Sequence, residues 1–183
     1  MSIDLPGHSA PTASFEAPLE MLWACHHRIE RQCATLRRLA PHPAAHGADA
    51  EARNAAAGVL RYFETAGQQH HSDEEENLFP ALIESTAGSD AVCLRALTDS
   101  LTADHRQLDA HWQRVRSALV RVVAGDGVSL PTPDVDALVG LYAQHIDREE
   151  RELLPMAARL LSDDALQQIG RAMRERRGIG PVA

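Results

Sequence analysis

The sequence predicts an all-α protein, built as an up-down-up-down four-helix bundle with a short C-terminal extra helix. Aromatic residues make up 4% of the chain, and the abundant Ala, Leu, Glu, Arg and Gln favour helices over sheet. Apolar side chains recur at helical spacing in four long segments, and turn-rich stretches separate these segments. With 183 residues, the chain is long enough for one domain with a core and short for two.

The chain divides into three predicted parts: a flexible arm over residues 1–15, the bundle over 16–161, and a short helix with a tail over 162–183. The arm contains Pro and Gly and shows no apolar periodicity. The C-terminal helix begins with acidic residues and ends in several arginines, as the helix dipole prefers. We interpret this basic end as a helix terminus and expect no nucleic-acid binding there.

Helix one is predicted from about Pro18 to Ala40, because proline is tolerated in a first turn and apolar residues follow at helical spacing. His26 lies on the apolar stripe, whereas His27 is rotated from it by about 100°. We therefore expect His26 to point into the bundle as a ligand and His27 to flank it. The stripe consists of Leu22, Ile29, Cys33 and Leu36.

Residues 41–49 are predicted to form a turn-rich connection. His42 and His46 lie four residues apart, but Pro43 between them argues against a helical face. We interpret both histidines as solvated loop residues rather than ligands.

Helix two is predicted from about Asp49, a suitable N-cap, and carries His70 and Glu74 on its inward face. Pro80 is expected to kink or end this helix, with a leftover turn that reaches Gly88.

Helix three is predicted from Ser89 to about Ala124, with His105 on its apolar stripe and therefore inward. Asp109 lies one turn further on, where it could be another ligand or could orient an imidazole. Helix four is predicted after the break at 125–133, from about residue 134 to 161, with His145 and Glu149 on one face.

One eleven-residue pattern, His-x3-Glu-Glu-x2-Leu-[Phe/Leu]-Pro, begins at His70 and returns 75 residues later at His145, with five of eleven positions identical. His and Glu four apart lie on one helix face, about one turn from each other. A single His-x3-Glu pair is more often a solvated surface contact than a ligand pair. The repetition, with the same apolar pair and proline, instead favours a metal site between pseudo-symmetric halves.

The second copy indicates which member of the His70-His71 doublet is the ligand. His145 is followed by Ile146, so a single histidine pairs with Glu149 there, and the constant offset selects His70. His71 is then expected to turn toward a flank or a neighbouring helix, with an auxiliary ligand as the alternative.

The predicted ligands are four imidazoles and two carboxylates from all four helices, with His71 and Asp109 as alternative auxiliary ligands. One octahedral ion could take all six, or two ions could share two bridging glutamates and leave room for an oxygen bridge and an open position. Imidazole and carboxylate without thiolate suit a non-haem di-iron centre, with manganese or zinc as rivals. The six are His26, His70, Glu74, His105, His145 and Glu149.

Charge and composition argue against several other classes of protein. The net charge of -8 and the pI near 5.6 argue against a surface that binds nucleic-acid phosphates. The sequence contains no long apolar run that would span a membrane, and its N-terminus lacks the features of a secretory signal. The three cysteines fit reduced thiols in a cytoplasmic protein better than a disulfide framework.

At these residues the chain resembles the hemerythrin-like, or HHE cation-binding, family, over roughly residues 18–160. The two repeated segments are similar to the family's helix-two and helix-four signatures, Cys25-His26-His27-Arg28-Ile29 to its helix-one motif, and Asp104-His105 to its helix-three motif. The resemblance implies a four-helix bundle with a non-haem di-iron centre, in members that bind oxygen, respond to iron or nitric oxide, or help repair damaged iron centres. Asp109 stands where the oxygen-carrying hemerythrins have a second inward histidine, which brings the chain nearer to the iron- and nitric-oxide-linked members.

Three functional classes follow. The first, which we favour over a dedicated enzyme, is a di-iron module that binds or senses oxygen, nitric oxide or iron. The second is a di-iron enzyme or an iron-centre repair protein, and the third is an iron buffer or a bundle with a structural metal. A sensor would need a separate protein partner, because the sequence shows no attached output segment. Fold alone does not choose among these classes.

Overall fold

A computed structural model of the chain describes residues 14–126 and 129–180, and within these ranges all regular structure is helical. The predicted all-α class is therefore confirmed. Most of the predicted arm, residues 1–13, and the end of the tail, residues 181–183, lie outside the described residues. None of the helices in the described ranges is long and apolar enough to cross a lipid bilayer.

Two of the long helices are interrupted by π turns, in which the backbone widens to accommodate an extra residue. In chain order the α-helices are α1 (Pro18–Leu39), α2 (His42–His46), α3 (Ala50–Tyr62), α4 (Gln68–Asp73), α5 (Phe79–Glu84), α6 (Ser89–Val123), α7 (Thr132–Arg148), α8 (Leu154–Leu160) and α9 (Asp163–Arg176). The π turns Phe63–Gly67 and Glu74–Leu78 join α3, α4 and α5 into what we name the second bundle helix. The π turn Glu149–Leu153 joins α7 and α8 into the fourth bundle helix.

The second bundle helix continues through Pro80 to Glu84, so of the kink or end expected at this proline, the end is corrected. A proline inside an α-helix lacks the amide donor, and its ring clashes with the carbonyl four residues earlier. Here the π turn Glu74–Leu78 comes directly before α5, and Pro80 lies in the first turn of α5, where no amide donor is needed. Pro155 has the same position after the π turn Glu149–Leu153. The repeated Leu-[Phe/Leu]-Pro of the motif is therefore where each π turn gives way to a new α-helix.

The predicted connection at residues 41–49 contains the short helix α2, which the sequence analysis did not anticipate. Pro43 fits because it lies in the first turn of that helix. His46 is exposed, and His42 Nε2 lies 2.9 Å from Asp49 Oδ2, so neither histidine approaches the core. Asp49 also accepts a hydrogen bond from the Ala52 amide at 2.8 Å and caps α3 as predicted.

The four long helices enclose two apolar clusters with a polar layer between them. α1 packs against α3 and α7, and α6 packs against the same two helices. Along α1, Leu22 belongs to one buried apolar cluster and Ile29 to the other, with His26 between them. On α6, His105 likewise separates Leu101 from Leu108. The apolar stripes of α1 and α6 therefore each place one histidine in the polar layer between the two clusters.

The C-terminal helix α9 packs against α1, α4 and the π turn Glu74–Leu78. Its last residues pair with Asp73, which is fully buried: Arg176 donates to this carboxylate, and Arg177 Nη2 lies 2.7 Å from Asp73 Oδ2. The basic end is thus more than the helix terminus that the sequence indicated, because it neutralises a buried carboxylate next to Glu74.

Candidate metal centre

The six side chains predicted as ligands meet in the polar layer, and each is at most 2% exposed. Their nitrogen and oxygen atoms form two groups that share Glu74 and Glu149, and within each group the atoms lie within 4.8 Å of one another. We name these the His26 group (His26, His70, Glu74 and Glu149) and the His105 group (His105, His145, Glu74 and Glu149).

Each shared glutamate directs one carboxylate oxygen at each group. Glu74 Oε1 lies 3.3 Å from His70 Nε2, while Glu74 Oε2 lies 3.4 Å from His105 Nε2. Glu149 Oε1 lies 3.3 Å from His145 Nε2, while Glu149 Oε2 lies 3.0 Å from His26 Nε2. The two carboxylates therefore lie between two sets of imidazoles, as bridging ligands of a pair of ions would.

The local backbone explains how both glutamates reach the middle of the protein. Glu74 and Glu149 are the first residues of their π turns, and His70 and His145 lie one α-helical turn before them. A π turn alters the rotation between successive residues, so the glutamate at its start can be inward on the same side as the residues that follow the turn. Single π turns inside helices are frequently found at functional sites.

His71 turns toward the neighbouring helix α6, one of the two directions expected from the sequence, and there it lies beside the His105 group. Its imidazole stacks on that of His105 with ring centroids 4.0 Å apart, and its ring nitrogen lies within 4.8 Å of those of His105 and His145. The π turn Phe63–Gly67 lies just ahead of α4 and changes the register that regular helical spacing gives for this segment. The structure supports the alternative, in which His71 is an auxiliary ligand of the His105 group.

Asp109, the other alternative auxiliary ligand, does not join either group. Its side chain is exposed and accepts a hydrogen bond from Gln113 Nε2 at 3.2 Å. It lies with His71 and Tyr142 among the residues lining a cavity of about 30 Å³. Asp109 is therefore placed at the edge of the centre rather than inside it.

Three carboxylates that the sequence analysis did not assign lie directly behind the imidazoles. Glu150 Oε1 lies 3.0 Å from His26 Nδ1, and Glu75 Oε1 lies 2.7 Å from His105 Nδ1. Asp104 Oδ2 is more distant from His145 Nδ1, at 3.7 Å. The doubled Glu-Glu of both motif copies was the available signal for the first two.

The buried polar atoms fit a bound cation better than they fit one another. Among the described residues, eight buried nitrogen or oxygen atoms of these side chains make no hydrogen bond of regular geometry, and these include Glu149 Oε1 and Oε2 in spite of imidazole nitrogens at 3.3 and 3.0 Å. His105 Nε2 and His145 Nε2 lie 3.1 Å apart, an arrangement in which one proton at most can be shared. Leaving such groups buried and unpaired is costly, and imidazole with carboxylate is the ligand set of first-row transition metals. The residues present therefore fit a metal centre.

The pKa values of the buried side chains also favour a bound cation. Burial opposes the charged form of His26, but its contacts with Glu149 and Glu150 prevail and raise its pKa to about 10. Burial together with the Glu149 carboxylate raises the pKa of Glu74 to about 7. Burial and the neighbouring His26 lower the pKa of His70 well below its usual value. Neighbouring groups thus compete for protons, and a cation between them would stabilise both carboxylates in their charged form.

Comparison with known proteins agrees with this geometry. The family model described as "Hemerythrin HHE cation binding domain" matches residues 17–157. A protein of Haemophilus influenzae (strain ATCC 51907 / DSM 11121 / KW20 / Rd), which bears the name "Uncharacterized protein", is 29% identical over 167 residues, covering 91% of this chain and 94% of that protein. The matched range contains both motif copies and all of the buried His and Glu ligand candidates. The chain belongs to the hemerythrin HHE cation-binding domain family.

Proposed function

We propose that this chain is a cytoplasmic, up-down-up-down four-helix protein with a non-haem di-iron centre that binds or senses oxygen or nitric oxide. The observation that carries the proposal is the placement of Glu74 and Glu149, each with one oxygen toward each histidine group. A single ion would need all the imidazoles around one point, whereas two separate groups of imidazoles with shared carboxylates suit two ions.

The donor count makes the two sides unequal. The His26 group offers two imidazoles and two carboxylate oxygens, whereas the His105 group with His71 offers three imidazoles and the other two oxygens. Six-coordinate ions would therefore have more vacant positions beside His26 than beside His105. When bound, iron supplies a redox-active centre with room for a small external ligand.

The surroundings favour a small apolar ligand over a larger substrate. Leu22, Leu101 and Leu138 are fully buried in the apolar clusters on either side of the polar layer. These side chains exclude water from the centre and leave little space for a bulky or charged molecule. Oxygen and nitric oxide are small and uncharged, so they suit such a site.

The first test is the metal content of protein expressed in iron-replete medium. We expect about two iron atoms per chain, because the ligands form two groups. The variant His105→Ala should lower this content, whereas His111→Ala on the same helix should leave it unchanged. Zinc in preference to iron, or a stoichiometry near one, would contradict the di-iron proposal.

The second test is the visible absorption spectrum of the reduced, iron-loaded protein before and after anaerobic exposure to oxygen or nitric oxide. Binding should change the spectrum, and His105→Ala should weaken the response. A protein that holds two iron atoms and ignores both gases would instead be an iron buffer or a bundle with a structural metal.

A further inference from the structure

Glu75 and Glu150, the second glutamates of the two motif copies, each contact a histidine of a different helix. Glu150 follows Glu149 on the fourth bundle helix and lies 3.0 Å from His26 Nδ1 of α1. Glu75 follows Glu74 on the second bundle helix and lies 2.7 Å from His105 Nδ1 of α6. Each copy therefore supplies one glutamate to both donor groups and a second glutamate to the outer side of one histidine.

The contact at Nδ1 fixes the orientation of each ring. A carboxylate accepts, so Nδ1 carries the hydrogen and Nε2 keeps its lone pair, which faces the donor groups. Within the described chain, the histidines of the motif copies themselves lack such a contact, because His70 Nδ1 and His145 Nδ1 have no hydrogen-bond partner. Each group therefore contains one histidine with a directly bonded outer carboxylate.

The two outer carboxylates differ in charge compensation. Glu75 forms an ion pair with Arg106 on the protein surface. Arg106 Nη2 lies 2.7 Å from Glu75 Oε2, and Arg106 Nη1 lies 3.3 Å from Glu75 Oε1. Among the described residues, Glu150 forms an ion pair with His26 and with no arginine. The negative charge behind His105 is thus offset by an arginine, and the charge behind His26 is not offset in this way.

We propose that Glu150 and Glu75 are positioning residues that orient His26 and His105, and that Arg106 makes their effects on the two ions unequal. This inference rests on the proposed di-iron function. A hydrogen-bonded carboxylate makes an imidazole a stronger electron donor, which favours the more oxidised metal. The ion beside His26 is therefore stabilised in its oxidised form more strongly by Glu150 than the ion beside His105 is by Glu75.

Metal affinity tests the positioning role without iron redox chemistry. Cobalt(II) titration, followed by the absorption of the bound ion, should show that Glu150→Ala and Glu75→Ala each weaken binding by about 10–100-fold. Glu150→Gln and Glu75→Gln should recover most of this loss, because the amide oxygen still accepts from Nδ1. The matched control is Glu152→Gln, an exposed glutamate of the same π turn as Glu150. Alanine variants that bind cobalt as the wild type does would overturn the positioning role.

The reduction potential tests the inequality. Glu150→Gln should raise the potential more than Glu75→Gln, and Arg106→Met, an exposed change that uncovers the Glu75 charge, should lower it. If a variant binds the oxidised ion tenfold more weakly relative to the reduced ion, the reduction potential rises by about 59 mV for a one-electron couple. Equal shifts for the two Gln variants, or no shift for Arg106→Met, would overturn the inequality.

The two proposals fail in distinguishable ways. Wild-type protein that binds fewer than two metal ions contradicts the di-iron function itself. Wild-type protein that binds two ions, together with variants that match it in cobalt affinity and potential, contradicts the roles of Glu75 and Glu150 and leaves the di-iron function standing.

Discussion

His70 and His71 are neighbours in the sequence, yet their imidazoles belong to different donor groups, with ring centroids 5.7 Å apart. His70 Nε2 faces Glu74 Oε1, whereas His71 stacks on His105. One doublet on one helix therefore places an imidazole in each of the two donor groups beside Glu74. The second motif copy has Ile146 in place of the second histidine, and this difference makes the pseudo-symmetric centre unequal.

The doublet gives a direct mutational prediction. His70→Ala leaves His26 as the one imidazole of its group, so we expect the metal content to fall from about two to about one ion per chain. His71→Ala leaves His105 and His145 with both carboxylates, so both ions should stay but one should bind more weakly. Elemental analysis and cobalt(II) titration of both variants measure this difference.

The chain offers a matched control for this experiment in its other doublet, His26-His27. His27 is exposed and pairs with Glu30 on the surface, so His27→Ala should bind metal like the wild type. If His71→Ala also behaves like the wild type, His71 lies in the polar layer without acting as a ligand.

Most of the donor set was predictable from the sequence because helical spacing is regular over the stretches that carry it. His26 and His105 were placed inward from apolar stripes on α1 and α6, which are uninterrupted helices. His71 was harder to place between the two directions expected for it, because the π turn Phe63–Gly67 precedes it and regular spacing does not describe a helix that changes its register. The end expected at Pro80 was wrong because a π turn precedes this proline as well.

The outer carboxylates were harder to predict, since their contacts join residues far apart in the sequence. Glu150 meets His26 across 124 positions, and no local periodicity connects them. The Glu-Glu doublet was visible in both motif copies, but the sequence alone assigned no contact to its second member. The structure shows that Glu75 and Glu150 each contact a histidine of a neighbouring helix.

Removal of the metal should destabilise the protein, because the buried donor atoms then lose their common partner. Metal at about one hundred times its dissociation constant stabilises a folded protein by about 2.7 kcal/mol, or roughly 5–10 °C in a chain of this size. Thermal melts followed by circular dichroism, with and without a chelator, measure the shift. An unchanged melting temperature would mean that the site is not coupled to folding.

The metal-free protein should also lose stability as the pH rises from about 6.5 to 9. The pKa of His26 is raised to about 10 and that of His105 to about 8, in both cases by contacts with carboxylates that outweigh the effect of burial. A histidine whose folded pKa is raised contributes its stability below about pH 6.5, the unfolded value, and loses it as the pH passes through the folded value. Glu74, with its pKa raised to about 7, favours the folded state toward lower pH as well.

Urea unfolding of the metal-free protein at pH 6.5 and pH 9 measures this trend, with the metal-bound protein as the control. Bound metal keeps the ligands deprotonated, so its unfolding midpoint should change less over the same range. A metal-free midpoint that is constant or rises toward pH 9 would contradict the contribution assigned to these histidines.

The last prediction concerns the contact between Asp73 and α9. Asp73 is fully buried beside Glu74, and its carboxylate is paired with Arg176 and Arg177. The double variant Arg176→Ala/Arg177→Ala leaves this charge buried without its partners, which costs about 3–5 kcal/mol in the free energy of unfolding. Urea unfolding of the metal-bound protein measures the loss, and Arg171→Ala, an exposed arginine on the same helix, is the control.

The same contact should influence the metal, since Arg176 also holds the π turn that begins at Glu74. Its Nη2 lies 2.8 Å from Glu76 Oε2 and 2.9 Å from Asn77 Oδ1, so the double variant frees Asp73, Glu76 and Asn77 around Glu74. Cobalt(II) should therefore bind more weakly to the double variant than to Arg171→Ala. Adding Asp73→Asn removes the unpaired charge and should restore part of the stability, but it leaves the π turn without Arg176, so the metal affinity should stay low. Full recovery of both quantities would show that the arginines act through the Asp73 charge alone.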